Sequence, residues 1–293
     1  MEATAVELMS LVVTGLSIAS ILLLVALGLA IIYGVTGVIN LAHGELVMIG
    51  AYCAWALQSF FGIGLLASLP LIFLATALLG WIIDRVVIRH LYNRPLDTIL
   101  ATWGIGVMAQ QAVRLLAGGE LRYVEMPEAM NHPVSVLGVE IPIFRIFILG
   151  LAVALFGLTW FLIFRTSLGL KLRAITQSRE IASCFGINSN RIYGLTFAYG
   201  AGLAGLAGAV VSPLKSVAPE MGTTYVVDAF MVVVLGGVES LVGSVASAFI
   251  IGQSSSAVAF YANDTIAKAL VLLFIVILIR FRPQGLFAAK VRS

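Results

Sequence analysis

The stretch GVINLAHGELVMIGAY, residues 37–52, places an imidazole and a carboxylate, His43 and Glu45, between two long apolar runs. Such groups can bind a cation, relay a proton or hydrogen-bond a polar solute. Ionisable side chains among apolar residues are costly and ordinarily face a bundle interior or a polar cavity. Residues two apart on a helix point about 200° from one another. His43 and Glu45 therefore cannot share one neighbour: Asn40, His43 and Gly44 fall on one side, with Glu45 turned away. Gly34, Gly37 and Gly44 suggest an interrupted helix, a form tolerated in membranes where backbone lines protein or water. Two readings stay open. Either Asn40 and His43 touch a polar path or its gate, or Asn40 caps the next helix while His43 and Glu45 satisfy buried backbone.

Two further carboxylates lie in or beside apolar runs. Asp228 reads as a helix-start carboxylate stabilised by the helix dipole, or as a path residue. Glu239 follows the Gly236–Gly237 pair and either lines a path or alters local packing. Asn40, His43, Glu45, Asp228 and Glu239 are thus the path candidates. The segment GAGLAG, residues 200–205, formally matches G-x-G-x-x-G, but that fingerprint requires a preceding strand. Here it sits in an apolar helix, so Gly200, Gly202, Gly205 and Gly208 read as a face where membrane helices approach closely. His43, His90 and His132 form no H-E-x-x-H, and no G-x-x-x-x-G-K-[ST] occurs. Cys53 and Cys184 lack metal or redox spacing and are expected to be free thiols. No enzyme, no metal site and no cofactor bound by this chain is expected.

The elements that must position these groups follow from composition. Of 293 residues, 61% are hydrophobic and only 11% charged, with a mean hydropathy of +1.08. A soluble domain carries roughly 25% charged residues, so this mixture cannot cover a water-exposed surface. The apolar runs are about the length of transmembrane helices, not the alternating segments of a β-barrel. The fold class is all-α, a polytopic transmembrane bundle of about eight or nine membrane segments with interrupted helices, forming one transmembrane domain over residues 1–293. The run at 225–256 is too long for one crossing and is expected to break at Gly236 and Gly237. The N-terminus lacks a positive n-region and reads as a retained first helix.

Basic residues set the orientation. Arg85, Arg89 and Arg94 mark one loop, Arg165, Lys171, Arg173, Arg179 and Arg191 another, and Arg280, Arg282, Lys290 and Arg292 the tail. Segment 117–142 instead holds Arg122 alone against Glu120, Glu125, Glu128 and Glu140. The N-terminus and the loop 117–142 are expected outside, the loop 165–191 and the C-terminus inside. The net charge of +3 and pI near 9.0 are explained by these loops, and no nucleic-acid partner is expected.

The loop FRTSLGLKLRAITQSREIASCFGINSNR, residues 164–191, is too mixed for a span. TQSREIASCF fits a short amphipathic helix stopped by Gly186. Glu180, Ile181, Ala182 and Gly186 resemble the E-A-A-x-x-x-G pattern of bacterial ABC importer permeases, with Ile181 in place of the first alanine and no downstream I-x-L-P. YGVTGVINLAHGELVMIGAY, FAYGAGLAGLAGAV, VVDAFMVVVLGGVESLVGS and RFRPQGLF are similar, in order, to the branched-chain amino acid and urea branch of that family. RPLDTILATWGIG and YVVDAFMVVVLGGV look closer to its urea permeases.

The resemblance implies an importer permease subunit of the bacterial cytoplasmic (inner) membrane. Two ABC ATPase subunits would bind ATP and Mg and hydrolyse the ATP, coupled through Arg173, Glu180, Ala182 and Gly186. It also implies a second related permease or another copy of this chain, an extracytoplasmic solute-binding protein and surrounding lipid. Urea is the first expected substrate, with branched-chain amino acids and short amides as alternatives. The segment KSVAPEMGTTY, residues 215–225, and Glu120, Glu125 and Glu128 would either meet the binding protein or be solvated loop. A competing class is an ATP-independent channel or secondary transporter using Glu45, Asp228 and Glu239.

Overall fold

The computed structural model describes residues 2–287 apart from positions 93, 137, 138, 239 and 283. Glu239, Lys290 and Arg292 therefore lie outside the described residues. The chain folds into helices α1 (Glu2–Thr36), α2 (His43–Phe61), α3 (Leu65–Val86) and α4 (Pro95–Ala117), then a hairpin of β1 (Pro133–Val136) and β2 (Val139–Pro142). Helices α5 (Ile143–Arg165), α6 (Ser167–Gln177), α7 (Arg179–Cys184), α8 (Ser189–Val211), α9 (Met221–Gly236), α10 (Leu241–Tyr261) and α11 (Asp264–Phe281) follow.

Six of these helices, α1, α3, α4, α5, α8 and α10, are long and apolar enough to cross a membrane. The all-α expectation holds to that extent, but the count of eight or nine segments is not reached by length and apolarity alone. Helix α9, with 16 residues, is too short by this measure. The long run at 225–256 does split. Gly237 takes φ +93°, and α10 folds back on α9 with the Ser247 hydroxyl donating to the Val232 carbonyl at 2.6 Å.

Burial separates a centre from a rim. The apolar windows of α1 and α8 are each 83% buried, against 11% for α4 and 17% for α5. In a membrane a helix apolar all round faces either lipid or protein; α1 and α8 are enclosed by protein and packed by neighbours that present small residues. A methyl built on Gly28 would overlap the Gly200 carbonyl, one on Gly50 the Gly205 carbonyl, and one on Gly208 the Val47 carbonyl. Gly202 likewise abuts the Phe73 ring, and Gly205 the Thr76 side chain. Backbones at such contacts lie too close for any side chain, and dispersion between the helices replaces the hydrophobic effect that lipid does not supply.

This packing predicts an asymmetry between glycines. Gly208→Ala overfills the α2–α8 contact and is expected to lower stability by about 1–3 kcal/mol. Gly157→Ala, on α5 with nothing within 4 Å of its new methyl, should be neutral or slightly stabilising. Thermal unfolding of the two detergent-purified variants checks this. A Gly208→Ala transition at the wild-type temperature would refute the packing face.

Candidate functional site

Helix α1 ends at Thr36, and residues 37–42 are non-helical. Gly37 at φ +68° reverses the chain, a conformation that L side chains rarely take. The His43 ring Nε2 lies 2.9 Å from the Val25 carbonyl, which is eleven residues before the end of α1. Eleven helical residues span about 16 Å, and six extended ones reach roughly 20 Å. The chain therefore runs back alongside α1 before α2 begins deep in the bundle. Four of its amides find acceptors: Gly37 donates to the Tyr33 carbonyl at 2.8 Å, Val38 to the Thr36 hydroxyl at 3.2 Å, Leu41 to the Thr102 hydroxyl of α4 at 3.2 Å and Ala42 to Asn40 Oδ1 at 3.0 Å.

A second interruption faces the first. After α8 the chain passes through residues 212–220 and starts α9 at Met221. A methyl on Gly44 would overlap the Gly222 carbonyl, and a methyl on Gly222 would press on the Glu45 carboxylate. The first turns of α2 and α9 thus meet at Glu45. Both helix N-termini carry partial positive charge, which favours a carboxylate there. Glu45 Oε1 also accepts from Gln110 Nε2 of α4 at 2.8 Å, and the same amide donates to the Thr223 hydroxyl of α9 at 3.2 Å.

Asn40, His43 and Glu45 are all buried. Asn40 Nδ2, His43 Nδ1 and Glu45 Oε2 are buried without a hydrogen-bond partner among the described residues. A carbonyl only accepts, so His43 donates from Nε2 to Val25. His43 and Glu45 face different neighbours, as their spacing implies: His43 ties α2 to α1, and Glu45 joins α2, α4 and α9. Gly44, expected on the side of His43, faces Gly222 and Val226 of α9 instead. Asn40 precedes the helix and forms a turn of the Asx type into it. Gln110, Gly222 and Thr223 join the site only through tertiary packing.

Asp228 does not belong to this node. It is also not a helix-start carboxylate, because α9 begins seven residues earlier at Met221. It pairs with Lys268 of α11, Oδ1 to Nζ 2.7 Å. At the same end of the bundle as Lys268, residues 117–142 and 212–220 are joined by reciprocal backbone bonds of Arg122 and Val217, at 2.9 and 2.8 Å. The Arg122 guanidinium lies 4.8 Å from the centre of the Trp55 ring. Glu220 pairs with Arg114 of α4, so it links a loop to a helix.

At the opposite end, residues 165–191 form two helices where the sequence suggested one. The break falls at Ser178, whose hydroxyl caps α7 by accepting from the Ile181 amide at 3.3 Å. Thr176 and Gln177 consequently belong to α6. Gly186, at φ +79°, ends the unit, and the Ile187 amide closes on the Ala182 carbonyl at 3.1 Å. Ala182 is buried with Ile175, Ile192 and Tyr193, whereas Ile181 and Phe185 are 61% and 82% exposed. Glu180 lies in the first turn of α7, where the helix dipole favours its charge. The Arg173 guanidinium lies 5.5 Å from the centre of the Phe164 ring on α5.

A link absent from the sequence reading connects this unit to the core. The Arg179 guanidinium lies 5.6 Å from the Tyr193 ring, and the Tyr193 and Tyr92 rings are 4.8 Å apart. The Tyr92 hydroxyl donates to Asp84 on the last turn of α3, and Asp84 is buried against Gly194. Asp84 was legible only as an acid at the end of an apolar run.

Interrupted helices meet inside an apolar bundle, with a compact helix pair exposed at one end. The family is shown by comparison with known proteins. Residues 11–280 match the family described as branched-chain amino acid transport system / permease component, and the chain belongs to that family. It is 32% identical over 289 residues to the high-affinity branched-chain amino acid transport system permease protein BraD of Pseudomonas aeruginosa, covering 94% of each chain. It is 29% identical to the corresponding permease protein LivH of Escherichia coli, covering 93% of this chain and 92% of the relative. The probable LivH permease of Methanocaldococcus jannaschii is 28% identical, over 83% of this chain and 78% of the relative. These relatives are transport permeases, not enzymes. No solved structure matches the chain.

The Glu45 node predicts that Gln110→Leu is costly although Gln110 lies on the least buried of the six apolar helices. It removes the one hydrogen-bond donor to Glu45 Oε1 found among the described residues and is expected to cost about 1–3 kcal/mol. Thermal unfolding in detergent reads this directly, with Gln111→Leu as the control.

Proposed function

We propose that this chain is a membrane-spanning permease subunit of an ATP-driven ABC importer for branched-chain amino acids. The observation that carries the reading is the family match across residues 11–280. Relatives covering nearly the whole chain are named for branched-chain amino acids. Urea, the first expectation from short motifs, gains no support from them, and the amino-acid alternative replaces it.

In this reading α2, α9 and α11 complete the membrane-embedded set, with the N-terminus and residues 117–142 outside and the loop 165–191 and the C-terminus in the cytoplasm. An extracytoplasmic binding protein delivers the solute to the loops joined by Arg122 and Val217. Two ATPase subunits hold ATP and Mg and dock on α6 and α7, where the exposed Ile181 and Phe185 offer an apolar contact. A second permease subunit, related or identical, completes the path.

Displacement of α7 reaches α8 through Ala182 and Tyr193, and α3 through Tyr92 and Asp84. The meeting of α2 and α9 at Glu45 is where alternating access would be sealed, because two short helix starts can separate without breaking a continuous helix. Asn40, His43 and Glu45 then belong to that seal, and Arg173, Glu180, Ala182 and Gly186 to the coupling unit. Glu239, outside the described residues, stays a path candidate on sequence alone.

The test is solute-stimulated ATPase activity of the reconstituted importer with its binding protein. Leucine, isoleucine or valine should stimulate hydrolysis and urea should not; stimulation by urea alone would overturn the substrate reading. Gly186→Arg should abolish leucine uptake and its stimulation of ATPase activity while the protein still reaches the membrane. The new side chain has space, but φ +79° strains it and its charge sits at the docking surface. Normal uptake by Gly186→Arg would sink the coupling assignment.

A further inference from the structure

Among the described residues, a cavity of about 400 Å³ lies between the first half of α1, the start of α5, the end of α8, and α9, α10 and α11. That volume falls within the range of about 300–1,000 Å³ typical of small-molecule sites. It is separate from the Glu45 node: Asn40, His43 and Glu45 do not line it. Its wall is of two kinds. It is lined by the aliphatic Ile21, Ile251 and Val271 with Met231, and by the Asp228–Lys268 pair, whose members lie one helical turn from Met231 and Val271. Lys215, just beyond the end of α8, Arg145, at the start of α5, and Asp264, one turn before Lys268 on α11, also line the cavity, which places its mouth at the end of the bundle read above as external.

The ion pair is reachable. The Lys268 side chain is 44% exposed and that of Asp228 13%, so a ligand can contact both without the pair first being excavated. An ammonium offers three donors and a carboxylate accepts at both oxygens. The 2.7 Å contact uses one donor and one oxygen. Charges in membrane helices are rare, and they mark solute pathways more often than they serve as packing devices.

We propose that this cavity is an external-side binding site for an aliphatic α-amino acid in its zwitterionic form. The ligand carboxylate sits on Lys268, its ammonium on Asp228, and its branched side chain on the wall formed by Ile21, Met231, Ile251 and Val271. This deepens the importer reading and rests on it. A zwitterion adds no net charge to the cavity, and it meets opposite charges already held side by side. A neutral solute such as urea can hydrogen-bond to either charge but leaves the aliphatic wall unfilled.

The experiment is uptake of labelled leucine into proteoliposomes holding the complete importer with its binding protein. Wild type is compared with Asp228→Asn, Lys268→Met and the exchanged pair Asp228→Lys with Lys268→Asp, at matched membrane abundance and ATPase assembly. The site predicts a fall in leucine uptake of about tenfold or more in each single variant, the loss of one charge-assisted contact. It also predicts no recovery in the exchanged pair, where the ion pair re-forms but its poles are inverted. Recovery in the exchanged pair would show that the ion pair only holds α9 to α11, and would overturn the site. Unchanged uptake in the single variants would overturn it too, leaving the importer reading intact. If wild type itself takes up no branched-chain amino acid, the importer reading fails and the site with it. Should the neutral variants not assemble, Lys268→Arg keeps the pair and alters its geometry: leucine uptake should fall several-fold, and wild-type uptake would refute the proposal.

Discussion

A bilayer offers no hydrogen-bond partners, so every amide that leaves a helix inside it must find one within the protein. Four amides of the segment between α1 and α2 meet that demand, on the Thr36 and Thr102 hydroxyls, the Asn40 side-chain oxygen and the Tyr33 backbone carbonyl in the last turn of α1. Most of the architecture follows from keeping this non-helical backbone enclosed. It must lie between α1, which receives the His43 ring at Val25, and α4, which supplies Thr102 and Gln110. Helix α4 is the least buried of the six apolar helices, yet its polar positions serve the interior.

Close approach of helix backbones is the second requirement. Beginning α2 deep in the bundle leaves it dependent on α8, and the contacts at Gly50–Gly205 and Gly208–Val47 admit no side chain. The same economy of volume brings Gly44 against Gly222 and puts two helix N-termini on one carboxylate. A continuous α1–α2 hairpin would have no such node. The interruption thus creates both the polar requirement and the electrostatic means of meeting it.

The two ends of the bundle differ in kind. At one end, loops are stitched together by Arg122 and Val217 above a cavity that holds an ion pair and an aliphatic wall. At the other, α6 and α7 are anchored through Ala182, Tyr193, Tyr92 and Asp84 while Ile181 and Phe185 stay exposed. Between them lies the Glu45 junction of α2, α4 and α9. This order suits a solute that enters at one end and a force applied at the other.

The sequence by itself determined the solvent and the helical class, because 61% hydrophobic residues with 11% charge leave no other surface to build. It located some of the breaks: Gly37, Gly186 and Gly237 each adopt positive φ where a punctuating glycine was read, whereas Gly34 and Gly44 stay helical and the break at Ser178 was not read. The opposed directions of His43 and Glu45 followed from helical periodicity alone. Tertiary structure decided what those directions meet. Gln110 and Thr223 lie far from Glu45 in sequence, and Lys268 is forty residues from Asp228, so no local pattern could pair them. Short motifs also could not choose between urea and amino acids. Such motifs record how helices break and pack, whereas solute selectivity depends on charges and apolar surface that only folding brings to one cavity.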